Sequence, residues 1–137
     1  VTADHGMVDV PDERRVDIDD VRSLRRGVVQ IGGEPRCRYV YCRPGHAEEV
    51  AETWGRELGD RATVMTREDA VAFGFFGDVE EHHLSRIGDV IAWAEDDWAM
   101  TSRQIDERVS NLIGQHGSTS AAERGIPLLR ISGGACG

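Results

Sequence analysis

The chain has 137 residues and a mass of 15.1 kDa, the size of one domain or of a piece of a larger one. Apolar residues make up 39% and charged residues 30%. That supports a modest core in a soluble chain, and no apolar run nears the roughly 20 residues a membrane-spanning helix needs. Twenty-five acidic residues against sixteen basic ones leave a net charge of −9 and a pI of about 4.9, which excludes a broad cationic surface for a nucleic-acid partner.

All sixteen basic residues are arginine, which reads as codon usage rather than function. Val1 to Met7 has no initiator methionine and no leader pattern. It reads as the end of an apolar strand running into a loop, so the chain is expected to be a fragment. Residues 16–26 are expected to form a short helix, with Asp17, Asp19 and Asp20 early, Arg22, Arg25 and Arg26 late, and Gly27 ending it. Val28 to Ile31 and Arg36 to Cys42 read as two strands joined by the turn Gly32-Gly33-Glu34-Pro35. Alternation puts Cys37, Tyr39 and Tyr41 on one face of the second strand and Arg36, Arg38, Val40 and Cys42 on the other.

A helix is expected from His46 to Leu58, with Ala47, Val50, Ala51, Trp54 and Leu58 on its apolar face and Gly59 at its C-terminal cap. Ala62 to Met65 is a short strand. Thr66 can cap a second helix, with Asp69 three residues on and Ala70, Val71 and Phe73 inward. Gly74-Phe75-Phe76-Gly77 is an apolar loop expected to pack into the core. Glu80 to His83 is a polar connector. Gly88 to Trp93 is a strand, Glu95-Asp96-Asp97 a turn, and Trp98 to Thr101 its expected hairpin partner. A polar stretch, a Gly/Ser loop, a final apolar strand from Ile126 to Ile131 and a mobile tail from Ser132 to Gly137 complete the chain. The element order suggests an α+β layer with an antiparallel sheet at about 16–100.

The three cysteines do not suggest a disulfide framework. Cys37 and Cys42 lie five positions apart on one strand, roughly 16 Å, beyond the reach of a bridge, and Cys136 sits in the tail. Reduced thiols point to a reducing, cytoplasmic compartment.

The candidate chemistry lies in Asp4, His5 and His116. Adjacent side chains on a regular strand point to opposite faces, so Asp4 and His5 can meet one ion only where the strand has ended. Gly6 permits such a turn, since glycine takes positive φ cheaply. A carboxylate and an imidazole suit Zn²⁺ or a similar divalent ion. His116-Gly117 repeats the His-Gly pattern in a loop 111 positions downstream.

Thr2-Ala3-Asp4-His5-Gly6-Met7 resembles the T/S-x-D-H-G-M signature of the alkaline phosphatase superfamily, in particular its type I phosphodiesterase/nucleotide pyrophosphatase branch. His116-Gly117-Ser118, followed by Gly125-Ile126-Pro127-Leu128-Leu129, is similar to that family's C-terminal metal histidine and the strand after it. The resemblance implies an α/β fragment with edge pieces of an alkaline-phosphatase-like core at 1–15 and 101–137. These would flank an inserted, cap-like α+β subdomain at 16–100. It implies that Asp4 and His5 bind one metal and His116 a second, the two divalent ions being Zn²⁺. It further implies a phosphodiester or nucleotide pyrophosphate substrate, cleaved by in-line phosphoryl transfer through a Thr or Ser phospho-enzyme.

The resemblance places that nucleophile, an early aspartate ligand and an Asp-x-x-x-His ligand pair N-terminal to Val1, and Thr2 reads as a strand residue beside the motif. The chain alone is therefore expected to be inactive and to bind metal weakly. Its partners would be the small substrate and the remainder of the catalytic domain, with neither nucleic acid nor membrane.

Two alternatives stand beside this reading. Thr-Ala-Asp-His-Gly also resembles cofactor-independent phosphoglycerate mutases and phosphonate hydrolases. A non-catalytic module that dimerises through unpaired edges belongs to a different class.

The other polar and aromatic residues read structurally. His82-His83 reads as a solvated linker and His46 as a first-turn helix residue. Trp54, Trp93 and Trp98 read as core, and Arg36, Arg67 and Arg86 as ion-pair partners of the abundant carboxylates. Glu95-Asp96-Asp97 lacks the alternating ligands of a calcium loop, and Gly32-Gly33 is not a nucleotide fingerprint.

Overall fold

Val90 to Ala94 is apolar and buried at every residue, so it needs cover on both faces and a neighbour on both edges. The computed structural model, which describes residues 1–131, supplies both. In chain order the elements are β1 (Val8–Asp9), β2 (Arg15–Asp17), β3 (Val28–Glu34), β4 (Cys37–Cys42), α1 (Ala47–Leu58), β5 (Ala62–Thr66), α2 (Arg67–Phe73), β6 (Val90–Ala94), β7 (Ala99–Thr101), α3 (Arg103–Ser110), β8 (Gly114–Gln115) and α4 (Ala121–Arg124). Strands β3-β4-β6-β5, in that order, form one antiparallel four-stranded sheet. Two small two-stranded sheets, β1 with β8 and β2 with β7, complete a mixed α/β architecture. No helix among the described residues is long and apolar enough to cross a membrane.

Alternation along β6 separates two apolar layers. Val90, Ala92 and Ala94 face α1, where Val40, Val50, Trp54 and Leu58 join Ile18, Leu24 and Met100 in one core. Ile91 and Trp93 face the other way and pack with Ala70, Ile87, Phe75 and Phe76. The expected helix from His46 forms with its apolar stripe inward, and Gly59 caps it at φ +54. Thr66 caps α2 by accepting from the Asp69 N–H. The Phe75 ring stacks on Trp93 at 4.1 Å, so the apolar loop does enter the core, whereas Phe73 is 71% exposed.

Trp54 is fully buried, and its indole N–H donates to the Leu24 carbonyl at 3.0 Å. Replacing Trp54 with alanine removes that donor and leaves a large cavity between α1 and the sheet. The expected loss is about 3–5 kcal/mol, read by urea unfolding.

Four expected elements differ. Residues 16–26 are not one helix but β2 followed by 3₁₀ turns at Ile18–Asp20 and Arg22–Arg25. The Asp17 carboxylate accepts from the Asp19 N–H and turns the chain, while Ile18 and Leu24 are drawn into the core. Trp98 to Thr101 does not pair with β6. Both edges of β6 are already taken by β4 and β5, so the chain turns at Asp96, with φ +45, and β7 runs parallel to β2.

The β3–β4 turn is tighter than expected. β3 runs on to Glu34, which pairs with Cys37 and leaves Pro35-Arg36 as the turn. Gly33, at φ +76, brings its Cα against the Cys37 carbonyl. Ile126 to Ile131 is not a strand, and only the Thr2–Leu128 bridge forms there. The tail from Ser132 to Gly137, with Cys136, lies outside the described residues.

Candidate metal centre

The two His-Gly motifs meet because β1 and β8 pair antiparallel, Val8 with Gln115 and Asp9 with Gly114. The Val10 N–H extends the pairing to the Ile113 carbonyl. Buried Gln115 anchors β8 by donating to the Val109 and Leu112 carbonyls at 2.7 and 2.8 Å. His5, just before β1, and His116, just after β8, are thereby stacked. Their ring centroids lie 3.7 Å apart and their planes 17° apart.

The stacking decides what the rings can hold. Imidazole lone pairs lie in the ring plane, and two near-parallel planes do not converge on one point. The pair therefore suits two ions side by side rather than one shared ion. His5 Nδ1 lies 2.8 Å from the Gly6 carbonyl oxygen. A carbonyl only accepts, so Nδ1 carries the proton and Nε2 is left as the ligand atom of the neutral ring. The Asp4 carboxylate accepts from the His5 backbone N–H and lies 3.9 Å from His5 Nε2. It is 89% exposed, open to an ion from outside. Among the described residues no three His, Cys, Asp or Glu side chains group closely enough to hold one ion. Asp4, His5 and His116 thus fit as partial ligand sets for two divalent ions.

Gly6 works by close approach rather than by the positive φ expected of it, and it is not among the positive-φ glycines. An added Cβ would meet the Ala122 carbonyl oxygen at 1.9 Å. Its N–H donates to the Glu123 carbonyl at 2.7 Å. Gly117 does adopt positive φ, +122, with the β3–β4 hairpin tip at Glu34 and Cys37 pressed against it.

Arg36 and Glu123 form a fully buried bidentate ion pair beside these loops. Burial works to raise the Glu123 carboxyl, but hydrogen bonds from Arg36, Ser120 and Ser118 outweigh it and hold it below its ordinary value. Sequence reasoning took Arg36 for an ion-pair residue, as it is, and missed Glu123. The readable signal was Ser120-x-x-Glu123, a capping box that closes in the structure.

Burial, and then the Glu123 carboxylate, push the Cys37 thiol up to about 12 against the pull of Arg38. Burial and Asp89 push Cys42 to about 11. Both thiols are thus held protonated at neutral pH and are poor nucleophiles there.

Arg86, read as an ion-pair partner, forms no ion pair among the described residues, and its carbonyl accepts from the Tyr41 hydroxyl. Arg67 pairs with Asp89. Trp98 lies under the guanidinium groups of Arg14 and Arg61. His46 pairs with Glu49 at the surface, and His82 and His83 form an exposed pair with Glu80 nearby.

The family model of type I phosphodiesterase / nucleotide pyrophosphatase matches residues 1–119. The chain belongs to this family. Among solved structures it is similar to murine ectonucleotide pyrophosphatase / phosphodiesterase 5, with a TM-score of 0.70, 21% identity, and 92% of this chain and 31% of that chain covered. An inactive form of the murine protein, solved in complex with AMP, matches with a TM-score of 0.69 at 21% identity, with the same coverage. The human counterpart matches with a TM-score of 0.64 at 25% identity, covering 91% of this chain and 31% of that one. Phosphonoacetate hydrolase from Sinorhizobium meliloti, in complex with phosphonoformate, gives a TM-score of 0.62 at 17% identity, covering 93% and 34%. This family member thus spans about a third of the length of these solved relatives. No curated protein matches its sequence.

Proposed function

We propose that this chain is a metal-binding portion of a phosphodiesterase or nucleotide pyrophosphatase. The chain would place the two motif segments of an alkaline-phosphatase-like catalytic core, 1–15 and 101–137, on either side of an inserted subdomain at 16–100. Asp4 and His5 would bind one divalent ion and His116 a second. The observation that carries the reading is the near-parallel stack of His5 on His116, with His5 Nδ1 tied to the Gly6 carbonyl. Held by Asp4, His5 and His116, two zinc ions would supply Lewis-acid stabilisation of phosphoryl charge and a lowered pKa for the attacking hydroxyl or water. The chain's own part is to hold the His5 tautomer and to fix the spacing of the two rings. The Thr or Ser nucleophile would belong to another segment of the catalytic domain. A nucleotide-like substrate accords with the AMP seen in the murine relative.

The test uses the protein expressed from its complete reading frame, loaded with Zn²⁺. It should cleave bis(p-nitrophenyl) phosphate in preference to p-nitrophenyl phosphate or phosphonoacetate. His5→Ala and His116→Ala should each lower kcat/KM by about 100-fold or more, roughly 2.7 kcal/mol of transition-state stabilisation. Preference for the monoester or for carbon–phosphorus cleavage would move the protein to the mutase or phosphonate-hydrolase branch. Unchanged activity in both histidine variants would remove the site.

A further inference from the structure

Glu123 touches both metal-ligand loops at once. Its backbone carbonyl accepts from the Gly6 N–H, next to His5, at 2.7 Å. Its Oε1 accepts from the Ser118 N–H, two residues after His116, at 2.9 Å. The carboxylate is itself held from the four-stranded sheet. Arg36, at the tip of the β3–β4 hairpin, donates Nε to Oε1 at 2.8 Å and Nη2 to Oε2 at 3.0 Å. The remaining reach of the guanidinium is spent on the Trp98 and Asp96 carbonyls, at 2.6 and 2.9 Å.

The hairpin tip is pinned in turn, because the Pro35 and Arg36 carbonyls accept from the Met100 and Ala94 N–H groups. The Ser118 hydroxyl donates to the Ala94 carbonyl at the end of β6. The path from sheet to loops is therefore continuous. β4 and β6 hold Arg36, Arg36 holds Glu123, and Glu123 holds the backbone beside each histidine.

We propose that Arg36 and Glu123 are positioning residues that set the spacing of His5 and His116 from within the sheet-bearing region, and so set the metal affinity of the centre. The proposal rests on the metal-ligand reading of the two histidines. A bidentate, fully desolvated pair suits this task, because the planar fork fixes direction as well as distance. A capping box alone would need only Ser120 and Glu123, and it would not need a counter-charge from a hairpin 87 positions away.

The test takes the protein expressed from its complete reading frame and compares the wild type with Glu123→Gln and Arg36→Lys. Two quantities are read: the nuclear Overhauser effect between the His5 and His116 rings, and Zn²⁺ affinity by competition with a chromophoric chelator. Both variants should lose the inter-ring contact and bind Zn²⁺ about 10–100-fold more weakly, as loss of an orienting partner does. Cross-strand contacts between β4 and β6 should survive.

Should Glu123→Gln fail to fold, Arg36→Lys, which keeps the charge but not the fork, decides the matter alone. A variant that melts earlier yet keeps the ring contact and the wild-type Zn²⁺ affinity would make the pair a fold staple only and overturn the proposal. His5→Ala separates the two readings. If it leaves Zn²⁺ binding unchanged, the metal assignment fails, while the ring contact in Glu123→Gln and Arg36→Lys still reports on positioning.

Discussion

Gly6→Ala is expected to abolish the His5–His116 stack and to cost about 2–3 kcal/mol of stability, with the four-stranded sheet retained. The new Cβ would sit 1.9 Å from the Ala122 carbonyl oxygen and 3.0 Å from its carbon. Both are backbone atoms, so no side-chain rotation relieves the overlap, and overpacking of this kind costs about 1–3 kcal/mol. Relief requires α4 to move away from the first motif. That breaks the Gly6-to-Glu123 hydrogen bond and removes the restraint on the residue next to His5. Thermal unfolding would read the stability loss and chelator competition the loss of Zn²⁺ affinity. If both stay at wild-type values, close approach is not what Gly6 is for.

Arg38→Met should be the most destabilising single polar change in the sheet, by about 3–5 kcal/mol. Arg38 is fully buried on β4 and donates to the Met100 carbonyl at 2.8 Å. It also forms a bidentate pair with Asp106 at 2.5 and 3.1 Å. Methionine fills the volume but leaves the Asp106 carboxylate without its counter-charge. The double variant Arg38→Met/Asp106→Leu should therefore recover much of the loss, since the large term is the stranded charge.

The same pair predicts a pH dependence. Burial acts to raise the Asp106 carboxyl, but hydrogen bonds from Arg38 and Ser110 outweigh it and hold it below its ordinary value. Glu123 behaves alike. A carboxylate with a depressed folded-state pKa contributes stability above its unfolded value, about 4, and loses it as pH falls through the folded value. Urea unfolding should show a plateau above about pH 5 and a decline below about pH 4. In Arg38→Met that decline should be shallower.

What was legible in the sequence was local. The amphipathic spacing of Val50, Trp54 and Leu58 marked α1, and Thr66 with Asp69 marked the start of α2. The short motif around Asp4 and His5 and the later His116 marked the family, which the match over residues 1–119 shows. Alternation also placed Arg38 and Val40 on one face of β4, and that face is buried. What alternation could not say is that an arginine belongs there. Its counter-charge at Asp106 lies 68 positions downstream, and Glu123 lies 87 positions from Arg36.

Two of the misread elements share one cause. Trp98 to Thr101 has the local character of a hairpin strand, but pairing depends on which edges are free, and β6 had none left. Ile126 to Ile131 has strand composition and makes only one bridge. Local stereochemistry and periodicity are properties of neighbouring residues, so the sequence by itself determined α1, α2, their caps and the candidate ligands, while α3 and α4 formed where a polar stretch and a loop were expected. Bringing His5 to His116 across 111 positions, and burying two arginines against distant carboxylates, depends on long-range pairing and desolvation. Those terms have no local signature, and only the tertiary structure decided them.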